Sequence, residues 1–204
     1  MIAGLLSFGV RLFTGATAAW SGCQPSTRQR LYFANHTSNL DAVVIWASLP
    51  SEIRERTRPV AARDYWTAGP VRRYLAHRVF HAVLIERKKP TVRDNPLEQM
   101  VDALGTTDSL ILFPEGTRNS GPEPGTFKGG LFHLARRRPD VELVPVYLEN
   151  MNRILPKGEM LAVPILGRVR FGVPVVLEPE ETREDFLIRC RAAVIALHGE
   201  SEAS

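Results

Sequence analysis

The sequence predicts an α/β fold, a central mostly parallel or mixed sheet flanked by helices, with an N-terminal amphipathic helix. Three observations carry this. Short apolar runs recur at Leu31–Ala34, Val79–Ile85, Ser109–Phe113 and Val141–Tyr147, each of a length that suits a buried strand. Between them stand stretches with helical patterning, notably Ala42–Leu49, Leu97–Leu104 and Phe186–Leu197. Strand and helix signals alternate along the chain, which is the order expected when helices cover a sheet on its faces.

The bulk numbers set bounds. A chain of 204 residues, 44% hydrophobic and 24% charged, suits one globular unit with an adequate core. Its net charge of +4 and pI near 9.4 point to an acidic partner: phosphate, an anionic membrane or nucleic acid. The two cysteines, Cys23 and Cys190, have no metal-type spacing and suggest no disulfide framework, consistent with a reducing compartment.

Taken in order, residues 1–20 are apolar but interrupted by Arg11, so they lack the run of about 20 apolar residues that spans a bilayer. On a helix, Ile2, Leu5, Leu6, Leu12, Phe13, Ala16 and Trp20 fall on one side, with Ser7, Arg11 and Thr14 opposite. That pattern fits a helix lying in a membrane interface, or one packed on the protein's own core. No basic segment precedes the apolar run, as a signal peptide would require. The remainder, residues 21–204, reads as the second and principal unit.

The Leu31–Ala34 strand runs into Asn35-His36-Thr37-Ser38-Asn39-Leu40-Asp41 and then the Ala42–Leu49 helix. Five residues apart, His36 and Asp41 would lie on different faces of a continuous helix. They meet if His36 lies in the turn and Asp41 in the first helical turn, with Ser38 or Asn39 as cap. The carboxylate then takes one ring nitrogen and leaves the other as a base. A helix cap with a histidine nearby explains the same spacing.

Residues 52–93 hold eleven Lys and Arg against four acids, a local charge of +7 that exceeds that of the whole chain. A solvated arginine-rich face accounts for this, as does a surface for anionic headgroups or a phosphorylated carrier. Aromatics are few there and show no base-stacking motif, which gives no support to nucleic-acid binding. Asp94-Asn95-Pro96 predicts a cap and helix start, and Gly105 its end. After the Ser109–Phe113 strand comes the turn-rich Pro114-Glu115-Gly116-Thr117-Arg118, able to present backbone N–H groups and a guanidinium to a phosphate. A structural loop with an Arg–Glu pair is the plainer reading. Lys128-Gly129-Gly130 opens a further helix. Pro145 predicts a strand end, bulge or edge for Val141–Tyr147. Short strand-like runs at Val163–Leu166, Val169–Phe171 and Val175–Leu177 precede a last helix over about Glu181–Leu197.

Read together, His36-Thr37-Ser38-Asn39-Leu40-Asp41, Val83-Leu84-Ile85-Glu86-Arg87, Phe113-Pro114-Glu115-Gly116-Thr117-Arg118 and Leu143-Val144-Pro145-Val146-Tyr147 resemble the glycerolipid acyltransferase family, in its 1-acylglycerol-3-phosphate acyltransferase branch. The resemblance runs from about Leu31 to Glu159 and includes Phe127-Lys128-Gly129-Gly130; the first and third motifs are specific in this order. It implies that His36 is the general base and Asp41 its orienting partner. Arg87 and Arg118 would hold the acceptor phosphate, with Glu115, Gly116 and Thr117 shaping that pocket, and the Val-Pro stretch would border the acyl or donor site. The implied reaction moves a fatty acyl group from acyl-CoA or an acyl-carrier protein to the sn-2 hydroxyl of lysophosphatidate, without a cofactor or an acyl-enzyme. No metal is expected, because no third ligand has a suitable spacing to His36 and Asp41. Expected partners are the lysophospholipid, the acyl donor and an anionic membrane surface, with no nucleic acid.

Two departures stand out. Many members carry longer membrane-embedded N-terminal helices, so the short interrupted stretch here predicts a peripheral protein on the cytoplasmic face of the membrane. Asn39 stands where a large aromatic is often found, which reshapes the pocket entrance. Another lysophospholipid or lyso-aminolipid acceptor is the alternative within the class. A basic membrane-binding module without catalysis is the alternative outside it.

Overall fold

A computed structural model describes residues 2–86, 95–119, 121, 123–149 and 167–199. Arg87 and the expected Val163–Leu166 strand lie outside the described residues.

Seven strands form one mixed sheet: β1 (Thr17–Trp20), β2 (Arg30–Ala34), β3 (Thr57–Ala62), β4 (Val83–Ile85), β5 (Ser109–Leu112), β6 (Glu142–Glu149) and β7 (Arg168–Phe171). Their order across the sheet is β1-β7-β6-β2-β5-β3-β4. Every neighbouring pair is parallel except β6 and β7. The central strand β2 is buried at all five residues, as a strand covered on both faces must be. Its buried Arg30 is satisfied by Glu142, across the β2–β6 ladder at 2.8 Å, and by the Gln24 carbonyl.

Two layers cover the sheet. On one face lies α2 (Asp41–Ser48), itself covered by α1 (Ile2–Thr14). The unbroken apolar run Ala42–Leu49 follows from this placement: the sheet takes one side of α2, and Leu6 and Val10 of α1 pack onto the same core. Two four-residue helical turns, α3 (Ser51–Arg54) and α4 (Arg63–Trp66), flank β3; α5 (Pro70–Tyr74) runs into a π turn at Leu75–Val79. The opposite face carries α6 (Pro96–Leu104), α7 (Gly130–Arg137) and α8 (Arg183–Gly199) over a second apolar cluster. The expected punctuation is present: Asn95 caps α6 at Leu97 N, Pro96 is its first residue, and Gly105, at φ +46°, ends it.

Four expectations are corrected. Residues 1–20 are not one helix. Gly15, at φ +57°, ends α1, and Thr17–Trp20 pair with β7 as an edge strand. Nor does α1 bury its polar and apolar sides as the helical projection suggests. Ser7 is buried, its hydroxyl donating to the Gly4 carbonyl, while Leu5, Phe8 and Leu12 are 75%, 63% and 75% exposed. The Val79–Ile85 strand shrinks to Val83–Ile85, because Val79 and Phe80 enter the core from a helical turn that closes with Ala82 N on the Ala76 carbonyl. Finally, Pro145 lies inside a central strand. Its carbonyl accepts from Gly172 N, just past the last β7 ladder residue, Phe171. The N and C=O of one strand residue point to the same side, so the missing N–H faces the spot where the ladder has ended.

Candidate active site

The candidate site lies at the C-terminal ends of β2 and β5, the edge of a parallel sheet where α/β proteins place their ligands. β2 ends at Ala34. The buried side chain of Asn35 then ties this end to β6: its Oδ1 accepts from Leu148 N at 2.8 Å and its Nδ2 donates to Leu148 O at 3.1 Å.

The turn that follows brings His36 and Asp41 together. His36 Nδ1 and Asp41 Oδ2 are 2.9 Å apart, and the same oxygen accepts from Thr37 N at 2.6 Å and Ser38 N at 2.8 Å. Asp41 is fully buried. A carboxylate so placed fixes the Nδ1–H tautomer and leaves Nε2 as the free ring nitrogen. The expected Ser38 or Asn39 cap is replaced. Leu40 occupies the cap position with no side-chain bond, and Asp41, the first residue of α2, reaches back to the turn amides instead. Ser38 Oγ accepts from Leu40 N, at 3.3 Å.

The third motif grips His36 from the other side. Phe113, directly after β5, stacks on the imidazole with centroids 4.2 Å apart and planes 21° from parallel. Glu115, 5% exposed, accepts from His36 N through Oε1 at 2.8 Å and from Gly125 N through Oε2 at 2.7 Å. Asn119 N donates to the His36 carbonyl at 2.8 Å. The histidine is thus held at ring, N–H and C=O by one stretch distant in sequence. Both oxygens of Glu115 are spent on backbone amides, so its place is behind the pocket wall. Gly116 has φ +70°, a conformation costly to other residues, and a Cβ there would stand 2.7 Å from Lys128 Nζ.

A cavity of about 330 Å³ opens beside the imidazole. His36, Gly116, Thr117 and Arg118 line it, together with Asn39 and Ala42 from the first turn, Phe113, Tyr65 and Trp66 beyond β3, and apolar residues of β3, β4 and β5. Among the described residues the Arg118 guanidinium has no ion pair or side-chain hydrogen bond. His36, Gly116, Thr117 and Arg118 are therefore brought to one cavity, with Asp41 and Glu115 directly behind it. Phe113, Asn35, Asn119, Tyr65 and Trp66 had no role assigned from sequence. Asn35 and Phe113 belong to the two motif stretches, but what each of the five does rests on contacts with distant segments that no local pattern shows. Among the described residues no three His, Cys, Asp or Glu side chains gather as a metal site would require.

An imidazole backed by a buried carboxylate, beside a cavity that an arginine also lines, is an arrangement suited to proton transfer next to a cation. The Acyltransferase family model matches residues 23–149, and the chain belongs to that family. It is similar to mouse 1-acyl-sn-glycerol-3-phosphate acyltransferase alpha, 30% identical over 156 residues, which cover 76% of this chain and 52% of that protein. The Limnanthes alba 1-acyl-sn-glycerol-3-phosphate acyltransferase is 26% identical, and the Dictyostelium discoideum protein called Taffazin 28%, covering 53% and 51% of those proteins. The chain spans about half the length of the curated relatives it matches. The crystal structure of the 1-acyl-sn-glycerophosphate (LPA) acyltransferase, PlsC, from Thermotoga maritima superposes with a TM-score of 0.74, covering 100% of this chain and 80% of that one. At 18% identity that likeness shows a shared fold.

Proposed function

We propose that the protein transfers a fatty acyl group from acyl-CoA or an acyl-carrier protein to the sn-2 hydroxyl of lysophosphatidate, giving phosphatidate. The observation that carries this is His36, paired with the buried Asp41 and left with Nε2 free, beside a cavity that Arg118 also lines. The names of the curated relatives support the acceptor.

A thioester is already activated, so the reaction asks for a base, an anchor and a dry site rather than an enzyme nucleophile. His36 Nε2 takes the hydroxyl proton as the acceptor oxygen bonds to the thioester carbonyl carbon. Asp41 stabilises the imidazolium that forms. Collapse of the tetrahedral intermediate breaks the C–S bond, and the imidazolium proton goes to the departing thiolate. Arg118, a planar fork suited to phosphate, anchors the acceptor; Arg87 is assigned the same duty by resemblance alone. The Gly116 turn and Thr117 shape the wall next to that phosphate. Glu115 acts through His36, whose backbone it holds. The chemistry uses no cofactor and no metal.

The cavity is at the small end of ligand sites, which run to roughly 300–1,000 Å³. It suits the headgroup and reacting atoms, with the acyl chains extending past its mouth. No described helix is long and apolar enough to cross a membrane. The outward Leu5, Phe8 and Leu12 of α1 support peripheral association with a membrane; the anionic cytoplasmic leaflet is assigned from the resemblance and the net charge of +4.

The test is thiol release from a long-chain acyl-CoA, with and without lysophosphatidate, for the wild type and His36→Ala. Acceptor-dependent release that falls by at least about 10²-fold in the variant is expected. Release with another lysophospholipid in place of lysophosphatidate would reassign the acceptor. Vesicle binding without turnover on any donor would leave a membrane-binding module.

A further inference from the structure

The cavity wall continues into a surface that the acyl-transfer chemistry does not use. Tyr65 and Trp66 line the cavity, and the chain runs from them through α5 and the π turn to Phe80. This segment is anchored from beneath: Ala76, Val79 and Phe80 are buried, and Phe80 packs edge-on against both Trp46 and Trp66. Its outer side is different. Val71, Arg72, Arg73 and Tyr74 are four consecutive exposed residues, with Val71 69% and Tyr74 48% exposed. Arg78 is exposed as well, and the Arg72 guanidinium lies 4.4 Å over the Tyr65 ring. Residues 65–85 contain no aspartate or glutamate.

We infer that Pro70–Arg78 is a lip that docks on an anionic lipid leaflet and sets the cavity mouth against it. An aliphatic and a tyrosine ring project outward among arginines with no acid between them. These are the residue types that settle at a bilayer interface, apolar parts at the acyl boundary and cations among the phosphates. Helix α1, with its own exposed Leu5, Phe8 and Leu12, packs on the same face of the sheet. Leu6 and Val10 of α1 join the same apolar cluster as Trp66 and Leu75. Two separate elements of one layer therefore show apolar side chains outward, and the second of them reaches the cavity wall through Arg72, stacked over Tyr65. The lip's role in feeding the acceptor rests on the acyltransferase reading; its binding to the leaflet does not.

The test uses the full chain and two variants: Val71→Asp with Tyr74→Asp, and Arg73→Glu with Arg78→Glu. All four positions lie outside the cavity. Co-sedimentation is measured with phosphatidylcholine vesicles, with and without phosphatidylglycerol, and circular dichroism checks the fold. The wild type should partition onto the anionic vesicles. The arginine variant should lose on the order of tenfold or more of that partition, with the salt dependence weakened, and the Asp variant should lose binding that salt does not restore. Turnover of a short-chain, monodisperse lysophosphatidate should be kept by both variants, while the apparent KM for vesicle-borne acceptor rises. Unchanged partition in both variants overturns the inference and leaves α1 as the membrane contact. A wild type that binds an acidic acyl-carrier protein through these residues, and no vesicles, overturns it in favour of a protein partner. Vesicle binding lost as expected in a chain that never turns over would sustain the lip and sink the acyltransferase proposal.

Discussion

Replacing Asp41 by alanine and by asparagine separates two jobs done by one carboxylate oxygen. Oδ2 accepts from the Thr37 and Ser38 amides and from His36 Nδ1, while Oδ1 is buried with no hydrogen-bond partner among the described residues. Alanine leaves two turn amides without an acceptor, at about 1–3 kcal/mol each, so Asp41→Ala should lose about 2–6 kcal/mol of stability. Asparagine can put its carbonyl where Oδ2 was and its amide where the partnerless Oδ1 was, which costs about 1 kcal/mol or less. What asparagine cannot supply is charge. At the 2.9 Å separation, a carboxylate and an imidazolium attract by about 6 kcal/mol at an effective dielectric near 20. The His36 side chain is 20% exposed, so part of this is screened. The expected outcome for Asp41→Asn is a fall in kcat of about 10²–10⁴ with the acceptor KM little changed. Urea unfolding and initial rates of thiol release read the two effects separately. An Asp41→Asn enzyme as active as the wild type, or an Asp41→Ala protein as stable as Asp41→Asn, would refute the reasoning.

Two further outcomes are expected. Gly116→Ala forces a side chain into φ +70° and against Lys128, so it should cost about 1–2 kcal/mol in urea unfolding and raise the acceptor KM, with kcat less affected. Burial works against ionisation of Glu142, but the Arg30 and Arg28 guanidiniums outweigh it and hold the carboxyl below its usual 4.5. A carboxyl lowered by folding adds stability above the unfolded value and loses it as pH falls through the folded one. Urea midpoints measured from pH 6 downward should therefore drop below about pH 4.5, and Glu142→Gln should flatten that part of the profile.

Much of the fold could be read locally because its causes are local. A five-residue strand buried on both faces needs a run such as Arg30-Leu31-Tyr32-Phe33-Ala34, and a six-residue turn suffices to bring Asp41 under His36. Asn95, Pro96 and Gly105 bound α6 through their own backbone preferences. For the same reason the residues of the His–Asp turn and of the Phe113–Arg118 turn stand out in the amino-acid sequence itself.

Other features depend on segments that meet only when the sheet is built. Glu115 is an ordinary turn carboxylate in sequence. Its role behind His36 exists because β2 and β5 are neighbours, which sets its oxygens on the His36 and Gly125 amides. Asn35 has a function because β6 lies on the other side of β2. Helical projection cannot tell which side of α1 faces inward, because that side is chosen by the surface α1 meets; there Leu6 and Val10 pack on the apolar cluster and Ser7 is buried. Pro145 is tolerated in a central strand because the β7 ladder stops one residue short of it. The sequence by itself determined most of the elements, the two site turns and the family, since each rests on neighbours in the chain. The tertiary structure decided which carboxylate holds the His36 backbone, which residues wall the cavity and which apolar side chains of α1 face outward, since those rest on contacts between residues tens of positions apart.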